Sequence, residues 1–332
     1  MSCVPLSRHT SRWLLVSGIV LLLLLPACSA DIAQPDGVPA EAVAVQPAQA
    51  RVVATVNFGA SSLLDATVAL AEDTTAIEAL QSVAGVVTSY GGCYVEDIED
   101  VGTTSGSRDE DWFYFINGIL ADVGSCDYLM CDGDMQHWDY HSWRFRRDVT
   151  ATLGVFPHAY VNGYAGDVRP TTVVCDSVFA EEAEDLADEL KAAGAQEVSL
   201  LVGESPSEST MQDNNLLLVV SPGNTLSEEL YGVRDRLGLF TAIANSTVSV
   251  YNTRGEVSGT YTSRTGVIEA MQNPWNPHGT GACENVVILV TGTDGEGVRM
   301  AANVLAGSWG DIELWSAAVV VDGIPSLVPS PL

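Results

Sequence analysis

The stretch DWFYFINGILADVGSCDYLMCDGDMQHWDYHSW, residues 111–143, decides how the chain is read. Trp112 to Ile116 is an aromatic run of strand type, followed by Asn117-Gly118. Asn-Gly suits a two-residue hairpin turn, because both central residues must take positive φ. Ile119 to Val123 is therefore expected to return as the partner strand. Asp132-Gly133-Asp134 marks a second turn, opening a strand from Met135 to Tyr140. Side chains alternate along a strand. Trp112, Tyr114 and Ile116 then share one face, with Phe113 and Phe115 on the other. On the last strand Gln136, Trp138 and Tyr140 oppose Met135, His137, Asp139 and His141. A small domain buries only one face of such a sheet, so part of this aromatic set is expected to stay accessible. There it would suit a flat, partly polar ligand or another protein. His137 and His141 would lie about 13 Å apart along a strand. That spacing predicts polar exposure and no shared metal.

Upstream, Cys93 to Ile98 reads as a strand. Thr74 to Val83 reads as a helix with Thr74 or Thr75 as N-cap and Ile77, Leu80 and Val83 facing inward. Arg51 to Phe58 is a strand with Val52, Ala54, Val56 and Phe58 on one side. Together these predict an α+β domain over residues 51–148. Residues 28–50, rich in Ala, Pro, Val and Gln, are expected to form a flexible tether. Ahead of them, Arg8 and Arg12 precede an apolar run from Trp13 to Leu25. That run is shorter than the roughly 20 residues a membrane span needs, and residues 1–27 fit a secretory signal. Leu25-Pro26-Ala27-Cys28 resembles the lipobox of bacterial lipoproteins, which implies lipidation at Cys28 and a protein held on the extracytoplasmic face of the membrane.

Downstream, residues 149–328 have another rhythm. Phe179 to Ala193 is a helix stopped by Gly194, and Glu197 to Val202 a strand. Asn215 to Val220 is an apolar strand followed by a turn and a helix from Leu226 to Leu237. Asn285 to Thr291, Gly292 to Asp294 and Glu296 to Ala306 repeat the plan of strand, turn and helix. Apolar strands alternating with helices predict an α/β domain covered on both faces.

The net charge is −29, and without residues 1–27 the balance is 12 basic against 43 acidic side chains. Such acidity excludes a phosphate-binding nucleic-acid partner and leaves the lipid anchor as the only expected membrane attachment. Cys175 with Cys283 is the simplest disulfide of the second half, while Cys93, Cys126 and Cys131 are three candidates in the first. Their spacing is not that of a zinc site. Gly292 to Gly297 is glycine-rich but lacks dinucleotide spacing and any lysine, so it reads as a tight turn. No nucleophile elbow, Walker loop or HExxH motif occurs, so no enzyme is expected.

The segment from Asp111 to Trp143 also resembles the C-terminal β-domain of transcobalamin and intrinsic factor, and bacterial lipoproteins that share it. The shared features are the Trp112-Phe113-Tyr114 strand, Asn117-Gly118, Gly124 with Asp127-Tyr128, Asp132-Gly133-Asp134, and the strand ending at Trp143. The resemblance spans about 95 residues and implies a β-grasp-like fold. It also implies a ligand surface, with a corrinoid (cobalamin) as the specific candidate and a membrane importer as partner. The candidate contacts are Tyr94, Ile98, Trp112, Tyr114, Asn117, Trp138, Tyr140 and Trp143. In the animal proteins this domain closes against an α-helical barrel, which this sequence lacks. Val286 to Leu305 resembles repeats of prokaryotic surface-layer and cell-envelope proteins. The first expectation is thus a lipid-anchored ligand-binding protein without a resident cofactor. The alternative is a surface interaction or envelope-structure protein that binds protein or polysaccharide. A concave, aromatic-lined pocket would favour the first, and a flat or convex patch the second.

Overall fold

The computed structural model describes residues 47–102, 109–146 and 148–330. The signal segment, Cys28 and most of the tether lie outside the described residues. The first half supplies β1 (Gln49–Val56), β2 (Ser61–Ala69), α1 (Ala76–Gln81), β3 (Val86–Ser89), β4 (Tyr94–Ile98), β5 (Val101–Gly102), β6 (Glu110–Ile116), β7 (Ile119–Leu120) and β8 (Met135–Ser142). Five of the strands make a sheet of order β2-β1-β8-β6-β7, in which β1 and β8 run parallel and the other pairs antiparallel. A small sheet, β3-β4-β5, stands apart from it. The hairpin forms where the sequence places it, because Asn117 and Gly118 both take positive φ, 51° and 79°. Gly118 is also a point of close approach: a Cβ there would lie 2.1 Å from the Val155 nitrogen. Thr75 caps α1, and Glu78 returns a bond to the Thr75 N–H, a reciprocal capping box. The strand β2 went unpredicted because most of its residues face solvent and carry no apolar alternation.

The second half contributes α2 (Val155–Asn162), β9 (Thr171–Cys175), α3 (Ala180–Ala193), β10 (Val198–Val202), α4 (Glu208–Asp213), β11 (Asn215–Val219), α5 (Thr225–Gly232), α6 (Arg234–Leu237), β12 (Thr241–Ala244), β13 (Thr247–Tyr251), β14 (Val257–Tyr261), β15 (Thr265–Gln272), β16 (Val286–Gly292), α7 (Gly295–Ile312), β17 (Ala317–Val321) and β18 (Ile324–Val328). Its seven-stranded sheet has order β10-β9-β11-β16-β15-β17-β18. The first four strands are parallel and the last three antiparallel. The parallel strands β11 and β16 are fully buried, as expected of a sheet covered on both faces. Residues of α2, α3 and α7 form the core on one face. Leu230 and Leu237 close the other over the parallel strands, and the β12-β13-β14 meander closes it over the antiparallel end. The helix expected over 226–237 is interrupted at Val233, whose φ of −119° and ψ of 16° leave the helical region. Both helices and strands build the chain, so the fold is mixed α and β.

Residues 149–155 bond to both halves. The Leu120 N–H donates to the Thr150 carbonyl, Thr152 N–H to Gly118, and Leu153 N–H to Trp315. Side chains add to this seam: Asn117 Nδ2 reaches Gly163 O at 2.8 Å, and Asn162 Nδ2 reaches Gly133 O at 2.7 Å. Arg51 bonds Glu313 at 2.6 Å.

Candidate functional site

β8 is the axis of the candidate site, because it lies between β1 and β6 and carries most of the residues singled out in the sequence. Register places Trp112 opposite Tyr140, Tyr114 opposite Trp138, and Phe115 opposite His137. The two faces therefore divide as alternation predicts. On the aromatic face, the Tyr114 and Trp138 rings stack at 4.8 Å, and Trp112 meets Tyr140 at 5.4 Å. Ala76, Ile77 and Leu80 of α1, with Val95 and Ile98 of β4, pack over them. Gln136 Nε2 donates to Ala76 O at 2.9 Å, tying the strand to the helix.

The expected accessibility of these aromatics is corrected by the structure. Trp112, Trp138 and Tyr140 retain 7%, 3% and 8% of their surface, and Ile98 none. The cause is α1 and the small sheet, which together cover the whole face. Asn117 is also buried, and its side chain bridges Asp134, Gly163 and Met135. Burial raises the Asp134 carboxyl to about 6, against the lowering effect of bonds from Cys131 N–H, Asn117 and Tyr128. Tyr114 is half-buried, its hydroxyl donating to Val123 O. Of the candidate contacts, only Tyr94 and Trp143 are exposed. Tyr94 donates to Asp111 and packs edge-on against Tyr90, which is 87% exposed. A disulfide between Cys93 and Cys126 holds this rim.

The opposite face of β8 overturns a second expectation. His137 and His141 are not exposed but buried, at 0% and 2%. The second half covers them, through Phe240 packed on Phe58 at 5.2 Å and through the Arg51–Glu313 pair. Their polar demand is met locally at one ring nitrogen each. Asp139 accepts from Thr55 Oγ1 at 2.5 Å, Phe58 N at 2.8 Å, Gly59 N at 3.0 Å and His141 Nδ1 at 2.7 Å. Asn57, Phe58 and Gly59 all take positive φ, which turns two consecutive N–H groups onto one carboxylate. Burial pushes the Asp139 carboxyl up, but His141, His137 and Thr55 outweigh it and leave it below the usual range. The Thr55 proton is used on Asp139, so the 2.7 Å contact to His137 must be a bond donated by His137 Nε2. His137 Nδ1 is then a lone pair with no partner among the described residues, which fits a neutral ring whose pKa burial lowers to about 4. The His141 ring lies between Phe58 and Phe113, each 4.4 Å away, and its Nε2 has no partner among the described residues. Sequence reasoning missed Thr55 and the polar network. The signal was present as His137-x-Asp139-x-His141 on one strand face, but the donors come from a turn 80 residues away.

The expected Cys175–Cys283 bridge is also corrected: both are free and buried. Register explains it. Cys175 is level with Val219, and Val219 with Val290, so Cys175 sits at one end of the sheet. Cys283 precedes the other end of β16, far beyond the roughly 4 Å between β-carbons that a disulfide allows. The buried Cys131 is not among the free thiols.

An open concavity of about 380 Å³ is lined by Tyr231, Gly232, Val233, Arg234, Asp235 and Arg236, remote in sequence from the aromatic strand. Among the described residues, no group of three or more His, Cys, Asp and Glu side chains could hold a metal ion, and no helix is long and apolar enough to cross a membrane.

Residues 73–142, from the cap of α1 to the end of β8, match the family described as Domain of unknown function (DUF4430). That family is linked to transcobalamin-like domains. The match therefore covers the α1 cover, the small sheet and the β6–β8 hairpin region, and leaves the second half outside it. No curated protein matches the chain.

Proposed function

We propose that this chain is a lipid-anchored, extracytoplasmic surface protein that engages a protein or polysaccharide across its outer surface. One observation supports this reading above the others: both faces of the aromatic strand are sealed, one by α1 and the small sheet, the other by the second half. A ligand would have to displace packed core to reach Trp112 or Trp138. What remains for contact is the exposed Tyr90 and Tyr94 rim and Trp143. The resemblance of Val286–Leu305 to envelope repeats points the same way.

A second reading, capture of a corrinoid for a membrane importer, is favoured by the family match over residues 73–142. The parallel β1–β8 pair, with α1 packed on the same sheet, also supports a β-grasp-like reading. Titration of the full chain with cobalamin and with cobinamide, followed by calorimetry and the visible corrin spectrum, separates the two. The surface reading expects no heat and no spectral change, together with retention on purified cell envelopes that is weakened by Tyr90→Ala with Tyr94→Ala. Saturable one-to-one corrinoid binding would replace it with the second reading. Anchoring is tested separately: Cys28→Ala is expected to release the protein from membranes, and retention of that variant would sink the lipoprotein assignment.

A further inference from the structure

Where the two halves meet, a cluster of Cys283, Gln272, Asp122 and Tyr164 takes no part in the site described above. Gln272, the last residue of β15, is buried and fixed at both ends of its amide. Its Oε1 accepts from the backbone N–H groups of Gly281 and Cys283, at 2.8 and 3.1 Å. Its Nε2 donates to the carbonyls of Leu120 and Thr150, at 3.2 and 3.3 Å. The Cys283 thiol is free and buried, and it lies 3.2 Å from the same Leu120 oxygen. Thiol and carboxamide thus converge on one acceptor, while the amide oxygen is held by the cysteine's own N–H. The loop is bent to do this. Gly279 and Gly281 take φ of 88° and 110°, and Cys283 itself a left-handed φ of 56°, which is costly for a residue with a Cβ. Tyr164 donates to the Asp122 carboxylate at 2.7 Å, and both groups interact with the thiol.

We propose that Cys283 and Gln272 condense to an internal thioester that serves as an acyl donor to a primary amine. Sγ attacks Cδ of Gln272, the Sγ–Cδ bond forms, and the carbonyl electron pair moves onto Oε1. The Gly281 and Cys283 N–H groups already point at that oxygen and stabilise the charge as it develops. Collapse of the tetrahedral centre breaks Cδ–Nε2. The thiol proton passes through the Asp122 carboxylate to the departing nitrogen, which leaves as ammonia. One thiol and one carboxamide give one thioester and one ammonia, so no oxidant or second substrate is required. Burial raises the Cys283 thiol to about 12, so the thiol enters the step protonated and needs a base. Asp122 is exposed, so the base stands at the solvent edge of a buried acyl centre. The same burial shields the thioester from water. An incoming amine that attacks Cδ forms an amide at position 272 and returns Cys283 as a thiol. This chemistry is independent of the surface role proposed above, and either can fail alone.

Trypsin cuts after Arg264 and Arg299, so both residues fall on the single peptide Thr265–Arg299. The full chain is purified without amines, unfolded and digested at mildly acidic pH, and the peptide is weighed with and without alkylation. The expected peptide is light by one ammonia, about 17 Da, and its cysteine resists alkylation. Methylamine added to the full chain beforehand is expected to restore the thiol and leave a methylamide at Gln272. A peptide of full mass with an alkylatable Cys283 overturns the proposal, and Gln272 is then a satisfied structural amide. An ammonia deficit with a reactive Cys283 also overturns it, because an asparagine imide on the same peptide would explain the mass. Asp122→Asn, at an exposed position, is expected to lower the thioester fraction at least tenfold in a chain whose far-ultraviolet dichroism is unchanged. An unchanged fraction removes Asp122 as the base.

Discussion

The two faces of β8 are both buried, yet they are built on opposite principles. The Trp138–Tyr140 face is apolar and closed from within the first half, by α1 and β4. The His137–Asp139–His141 face is polar and closed by the second half, and it survives burial only because Asp139 gathers four donors. The difference separates two routes to a buried strand. One is area removed from water, which tolerates some loss of fit. The other is hydrogen bonding gathered on one shared carboxylate, in which removing that member strands the rest.

Asp139→Ala is therefore the largest break available. It leaves the Thr55 hydroxyl, two backbone N–H groups and the His141 ring without their acceptor in a dry site. The expected loss is about 4–5 kcal/mol, read from the urea midpoint of the full chain. A loss under about 1 kcal/mol would mean that water already reaches this face. Trp138→Ala removes the largest side chain of the other face and should cost about 3–4 kcal/mol through the cavity it leaves. If it leaves stability unchanged but abolishes binding of a ligand, the aromatic face is a site and not a core.

Only part of this contrast was legible in the sequence. Alternation in Trp112–Ile116 and Met135–Tyr140 gave the strands, their faces and the Asn117-Gly118 turn correctly. It could not give burial, because period-2 patterning says which residues share a face and not what covers it. A face of His-x-Asp-x-His reads as solvated unless its donors are visible. Those donors are backbone N–H groups at Phe58 and Gly59, in a turn whose positive φ at Asn57 and Phe58 has no strong local signature. In the second half the parallel strands announced themselves as apolar runs. β15, with Glu269 buried at its centre, did not. Burial raises that carboxyl to about 7, and only the fold brings up its partner Tyr231, 2.9 Å away.

The polar face should also respond to pH, whereas the aromatic face should not. His137 has a folded pKa near 4 against an ordinary 6.5. A depressed histidine contributes stability above pH 6.5, and that contribution is lost as pH falls toward 4, for about 3 kcal/mol in all. Asp134 and Glu269, raised to about 6 and 7, act in the opposite sense, with stability lost as pH rises through those values. The wild-type profile is a sum of these terms, so the test is a difference. Subtracting the profile of His137→Gln from that of the wild type should leave a fall between pH 6.5 and 4. A flat difference would mean that His137 is not neutral in the folded chain.

The smallest change tests whether the two faces are independent. Thr75 caps α1 and closes the capping box with Glu78, so Thr75→Ala should loosen the cover of the aromatic face by about 1 kcal/mol. The helix touches the face of Trp138 and not that of His137, and no bond from α1 reaches Thr55 or Asp139. Thr75→Ala should therefore lower the stability of the full chain equally from about pH 5.5 to pH 7, where Glu78 stays ionised, shifting the profile without reshaping it. It should couple to Trp138→Ala in a double-mutant cycle and add simply to Asp139→Ala. A pH-dependent loss, or coupling to Asp139→Ala as large as that to Trp138→Ala, would show that β8 transmits between its faces. The strand would then be one cooperative unit, and closing either side would set the strength of the other.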